Sequence, residues 1–192
     1  MIRIWNAGTG NCDREIDTCH PHGVGRIEIS PDGRWIATIG SEPQDKNDQG
    51  PFDGSVRIWE TRTGKLLRRI ETSSHWVVRD FRILPDGATL VTAGRTSSQR
   101  SNVTVWRADT GEANASIESS QDIDQVVVLG NGKWLAIKTA RDQLGLWQRD
   151  GSPDTAIRIN GYIKQLIALP SDDALCVWTQ SGLNVFRRIG PH

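Results

Sequence analysis

The stretch "CDREIDTCHPHG", Cys12–Gly23, places two cysteines and two histidines within a short span. Thiolate and imidazole are the usual zinc ligands, so this is the first place to look for chemistry. The spacing argues against it. Cys12 and Cys19 flank an extended segment that at ~3.3 Å per residue holds them roughly 20 Å apart, and structural zinc sites pair cysteines two to four residues apart. The same separation excludes a disulfide, and the third cysteine, Cys176, reads as a small apolar strand residue. Nucleophilic catalysis needs a Ser or Cys held beside a base. The histidines stand at 20, 22, 75 and 192, and no G-x-S-x-G turn accompanies them. No glycine-rich loop opens a helix to cradle phosphate. Neither a catalytic group, a metal site nor a cofactor is expected.

Composition narrows the partners. The 192 residues carry 23 basic and 23 acidic side chains, a formal net charge of +0. Such a balance gives no basic field for a phosphate backbone, so nucleic acid is not expected. No apolar run is long enough for a membrane helix, and the first residues lack a signal peptide's apolar core. No membrane association and a cytoplasmic location are the expectations. The 18 Arg against 5 Lys point weakly to a GC-rich bacterial genome.

What must position any site is a repeat. Trp5, Trp59, Trp106, Trp147 and Phe186 each close a short apolar strand, at steps of about 39 to 54 residues. Each of the last four is preceded by a tight turn: "SPDG" at Ser30–Gly33, "LPDG" at Leu84–Gly87, "LGNG" at Leu129–Gly132 and "LPSDD" at Leu169–Asp173. The unit reads as four short strands, a to d, with no helical periodicity. In the first full copy these are "VGRIEI", "RWIATIG", "GSVRIWE" and "KLLRRIE". The arginines of the last segment are read as guarding the exposed outer strand. Four-stranded units at this period are the signature of a β-propeller, whose sheets bury both faces by stacking.

The stretch "SPDGRWIATIG…DGSVRIWETRTGK" resembles the consensus of the WD-repeat (β-transducin-repeat) propellers. The resemblance covers the whole chain, strongest over residues 20–70. It departs at the eponymous Asp, since Asn6, Glu60, Arg107, Gln148 and Arg187 follow the marker aromatics. The fold class is all-β: about four four-stranded antiparallel blades plus a partial N-terminal blade, in an open arc. Residues 1–19 are strands c and d of the partial blade, 20–71 the first full blade, 72–118 the second, 119–160 the third, and 161–192 a fourth lacking its outer strand. The chain would then be the C-terminal part of a larger propeller. A small four-blade ring closed by residues 12–19 is the alternative.

The resemblance also implies a buried tetrad in well-formed blades: a His before strand a, a Ser or Thr in strand b, an Asp before strand c, and the strand-c Trp. Here these are His20, Thr38, Asp53 and Trp59. The second copy keeps Thr92 and Trp106, with His75 nearby and Arg100 in the Asp position. The third has Ile137 and Arg141 in the Thr and Asp positions, and the fourth has Gln180 and Phe186 for Asp and Trp. The function implied is a non-catalytic scaffold or recognition domain for protein–protein interaction, as the sensor or regulatory part of a bacterial signalling protein. Rigid scaffolds place binding residues on loops. The candidates are Asp45, Lys46 and Asp48 in the first b–c loop, Arg95 and Arg100 around the second, and Trp76 in the adjoining d–a connection. Two rival readings stand. A propeller enzyme would act at the central channel, where the inner strands offer Glu28, Asp80 and Asp124 without a repeated ring. A self-assembling arc would complete itself as a homo-oligomer through open blade edges.

Overall fold

The computed structural model describes residues 1–41, 53–72, 77–95, 100–139, 143–159, 161–169 and 174–187. Among these the protein is all-β, with seventeen strands in five antiparallel sheets, none closed on itself, and a single 3-10 turn at Gly130–Gly132. The first sheet has two strands, β1 (Ile2–Trp5) and β2 (Cys12–Ile16). The second runs, from inner to outer strand, β3 (Val24–Ile29), β4 (Trp35–Gly40), β5 (Ser55–Glu60) and β6 (Leu66–Glu71). The third is β7 (Val77–Ile83), β8 (Thr89–Arg95), β9 (Ser101–Arg107) and β10 (Ala113–Ser119). The fourth is β11 (Ile123–Leu129), β12 (Trp134–Thr139), β13 (Gln143–Gln148) and β14 (Pro153–Arg158). The last has three strands, β15 (Ile163–Ala168), β16 (Ala174–Thr179) and β17 (Gly182–Arg187).

The sequence explains this meander locally. In the Ser30–Gly33 turn, Asp32 accepts both the Ser30 hydroxyl at 2.7 Å and the Arg34 amide at 3.0 Å, while the Gly33 amide closes the turn onto the Ser30 carbonyl at 2.8 Å. Strands β4 and β8 are buried on both faces because a sheet stacks on either side, which is why they are mainly apolar and why their buried threonines, Thr38, Thr89 and Thr92, carry hydrogen bonds. The outer strands are largely exposed, and β2, β6 and β10 each bury one isoleucine: Ile16, Ile70 and Ile117 are at most 4% exposed. Three apolar cores follow, one at each boundary between successive sheets from β3–β6 onward.

Outer strand and following sheet meet at a glycine. Gly64, at φ +72, opposes Arg14 and Ile16, and an added Cβ would sit 3.1 Å from the Arg14 side chain. Gly111, at φ +77, opposes Arg68 and Ile70 in the same way. Only glycine combines that conformation with that approach. The two arginines reach across as well: Arg14 donates to the Thr63 carbonyl at 3.0 Å and Arg68 to the Thr110 carbonyl at 3.1 Å. Arg68 therefore ties two sheets together besides flanking an edge strand.

A bulge recurs where each inner strand meets its neighbour, at Val24/Arg26, Val78/Asp80, Ile123/Gln125 and Ile163/Gln165. Bulges re-aim side chains. Here they set Arg26, Asp80, Gln125 and Gln165 at one equivalent position along the inner strands. No helix of the described residues is long and apolar enough to cross a membrane.

Candidate functional site

Two constellations of polar side chains are buried in this frame. The first joins the loops around the first full sheet. His20, before β3, places Nδ1 2.6 Å from Asp53 Oδ2 and Nε2 2.9 Å from Thr38 Oγ1, and the Trp59 indole donates to that same hydroxyl at 3.0 Å. Chemistry fixes one proton. The carboxylate only accepts, so Nδ1 carries a hydrogen. Thr38 accepts from Trp59, and its one hydrogen can go to Nε2 of a neutral imidazole or to the Arg57 carbonyl, 3.5 Å away. Thr38 is 0% and His20 7% exposed, so each polar group needs its partner. Ser55 donates to Asp53 through both its amide, at 3.1 Å, and its hydroxyl, at 2.5 Å.

Arg57 completes the cluster and is absent from the sequence reading. It is 7% exposed, bonds the Thr18 carbonyl and lies 3.0 Å from Asp53 Oδ2. Its signal in the sequence is parity: Arg57 shares the face of Trp59 and stands four residues after Asp53. Burial works against the Asp53 charge, but the His20 and Ser55 hydrogen bonds and the Arg57 cation outweigh it and hold the carboxyl below the usual carboxylate range.

In the next sheet the Trp106 indole donates to Thr92 at 2.8 Å. Arg100, in the Asp position, is exposed and 3.4 Å from Glu118. His75 and Arg141 lie outside the described residues. So do Asp45, Lys46, Asp48 and Trp76. Of the six loop candidates the structure thus places only Arg95 and Arg100. Arg95 ends β8 with its guanidinium 3.0 Å from Asp122 of the following d–a connection.

The second constellation lies along the inner strands. Asp80, 2% exposed, accepts the Val126 amide of the following sheet at 2.9 Å and is paired with Arg26 at 2.7 Å and Arg82 at 2.8 Å. Glu28 accepts the Ile83 amide at 2.7 Å and an Arg82 hydrogen at 3.1 Å. Gln125 closes both hydrogen bonds on Leu166, accepting its amide at 2.8 Å and donating to its carbonyl at 2.9 Å. Asp124 faces Arg79 at 3.6 Å and Lys138 at 3.7 Å. Burial pushes the Asp80 and Glu28 carboxyls up, against the pull of the arginines. Every inner-strand carboxylate considered from sequence is thus engaged with the neighbouring sheet or a cation.

Both constellations tie strands and sheets together through buried hydrogen bonds and ion pairs. A cleft of about 290 Å³ opens between β3 and β7, and its ionisable lining, Arg26 and Arg79, is the same pair of side chains already engaged by Asp80 and Asp124. A cavity of about 330 Å³ between β13–β14 and β16–β17 is lined mainly by apolar side chains such as Leu129, Trp134, Ile157 and Phe186. Cys12 and Cys19 are exposed free thiols, Cys12 in register with Trp5, while His20 is held by Asp53 and Thr38.

Comparison with known proteins gives the same direction. Residues 10–60 match the family model described as WD domain, G-beta repeat. Over 59 residues, 31% of this chain, the sequence is 33% identical to Cilia- and flagella-associated protein 251 of Chlamydomonas reinhardtii, of which that covers 7%. Over 137 residues, 67% of this chain, it is 26% identical to Cilia- and flagella-associated protein 251 of Tetrahymena thermophila, of which that covers 13%. The chain thus spans only a small part of either curated relative. Residues 10–60 thus match a G-beta repeat of the WD-domain type, set in a succession of antiparallel sheets, none closed on itself, that is consistent with an open β-propeller arc.

Proposed function

We propose that the chain is a non-catalytic scaffold that presents a rigid surface to a partner protein. The observation that carries this is the fate of the inner-strand carboxylates. Glu28 and Asp80 spend their acceptor capacity on backbone amides and arginines of adjoining sheets, so they hold sheets together rather than standing free as an acid–base pair. The matched repeat family supports the reading at the level of protein interaction. The binding face we favour carries the b–c and d–a connections, with Arg95 and Arg100 as contacts, since arginine is a frequent interface anchor. The finer reading is a cytoplasmic sensor or regulatory part of a bacterial signalling protein.

The test is affinity capture with the immobilised chain and with an R95E/R100E double variant of equal melting temperature. A partner retained by the first and lost by the second supports the loop face. An identical captured set from both, or turnover of a small molecule by the purified chain, would reject the reading.

A further inference from the structure

The arginine straps that tie the first three sheets have no counterpart at the next boundary. Arg14, Arg68 and Ala115 hold one position in the repeat: each follows the bulge of its outer strand and pairs with Ile4, Ile58 or Val105. Each lies against the c–d turn glycine of the following sheet, Gly64, Gly111 or Gly151. At the first two boundaries the guanidinium donates to the carbonyl just before that glycine, on Thr63 and Thr110. Asp150 stands just before Gly151. Ala115, in the arginine position, offers that turn only a methyl, which donates nothing.

Beside Ala115 the boundary opens into a groove of about 580 Å³. Its lining is rich in acceptors: the side-chain amides of Asn114, Asn131 and Gln148, and Asp150. The Ser152 hydroxyl, at 2.6 Å, and amide, at 2.9 Å, both donate to Asp150 Oδ1 and hold this carboxyl below its ordinary range. Its other oxygen has capacity for a further donor. The two cations of the lining are drawn elsewhere. Arg149 is held by Asp86 at 2.6 Å and by Thr89, and the Lys133 ammonium lies 5.4 Å over the Trp134 ring.

We propose that this groove receives an arginine side chain of a partner protein, its guanidinium at Asp150 as those of Arg14 and Arg68 are at Thr63 and Thr110. A planar guanidinium brings five donors to carbonyl, carboxylate and amide oxygens, where an ammonium is a point charge. The proposal rests on the scaffold reading above but uses the opposite rim. The groove lies among a–b and c–d turns, whereas Arg95 and Arg100 border the b–c loop.

The probes are an acetylated and amidated Gly-Arg-Gly peptide, its citrulline counterpart, and inorganic phosphate. Each is titrated into the 192-residue chain and followed by backbone amide shifts. The arginine peptide should give saturable shifts at Ala115, Asn131 and Gly151. Citrulline keeps the shape without the charge and should bind at least about tenfold more weakly. Ala115→Arg supplies the strap from within, so it should melt no lower than the wild type and lose the peptide shifts. Arg68→Ala copies the alanine into the preceding boundary and should add a second set of shifts at Gly111. The R95E/R100E variant should bind the peptide as the wild type does, so the groove and the loop face can fail separately. Absence of saturable shifts in the wild type, equal binding of citrulline, or shifts from phosphate alone would overturn the proposal. So would undiminished binding by a folded Ala115→Arg, no second set in a folded Arg68→Ala, or loss of binding in R95E/R100E.

Discussion

Asp80 on β7 accepts the amide of Val126 on β11, 2.9 Å away in the next sheet, while Arg26 of the preceding sheet lies 2.7 Å from its other oxygen. One buried carboxylate therefore touches three successive sheets. Removing it should be among the most damaging single changes in the protein. Asp80→Ala orphans the buried Val126 amide and takes from Arg26 and Arg82 their nearest counter-charge, leaving them only Glu28, which costs about 3–5 kcal/mol. Asp80→Asn keeps an acceptor for the Val126 amide and should lose less. Urea unfolding of the two variants checks the order, and midpoints equal to the wild type would refute the tie.

Asp53 makes stability depend on acid. Its folded carboxyl titrates below its ordinary value of 3.8. The stabilisation is therefore complete above that unfolded value and is lost as pH falls through the folded one. Wild-type stability should drop as pH falls below about 4, and Asp53→Asn should flatten that slope while lowering stability at neutral pH. Parallel slopes for the two proteins would show that another group is responsible.

Trp59 and Trp106 occupy equivalent positions but unequal networks. Trp106→Phe breaks one hydrogen bond to Thr92 and should cost about 0.5–1.5 kcal/mol. Trp59→Phe removes the donor at the head of a four-residue chain, whose remaining members must reorganise, so the loss should be larger. A double-mutant cycle of Thr92→Val with Trp106→Phe, set against one of Thr38→Val with Trp59→Phe, measures both couplings. A larger coupling in the second sheet than in the first would contradict the ranking.

Gln125 is the neutral counterpart of Asp80 and meets both backbone groups of Leu166. Gln125→Ala leaves that amide and carbonyl without partners, at about 1–3 kcal/mol. The effect should be local. Amide exchange should quicken in β15–β17 and stay unchanged in β3–β6. Uniform acceleration through the chain would mean that the last sheet does not open independently.

Much of this was legible in the residues. The Pro-Asp-Gly turns, the recurring tryptophans and the apolar alternation are local signals, and they determined the strands, their order and the antiparallel meander. They also brought His20, Thr38, Asp53 and Trp59 forward as one group, through resemblance to a repeat pattern. The inner-strand ties were not legible. A one-residue bulge before Asp80 and Gln125 decides which side chain faces the neighbouring sheet, and nothing in the local sequence marks it. Arg57 looked like an ordinary strand residue until the Thr18 carbonyl and Asp53 were seen around it. An open arc was expected, but Leu183 and Trp5 as the side chains it leaves exposed were not, since both sit in apolar patterns like those of buried equivalents. Sequence sets the strand and its alternation because those depend on near neighbours. Only the tertiary structure decides whether a face is covered, because that depends on which sheet stands beside it.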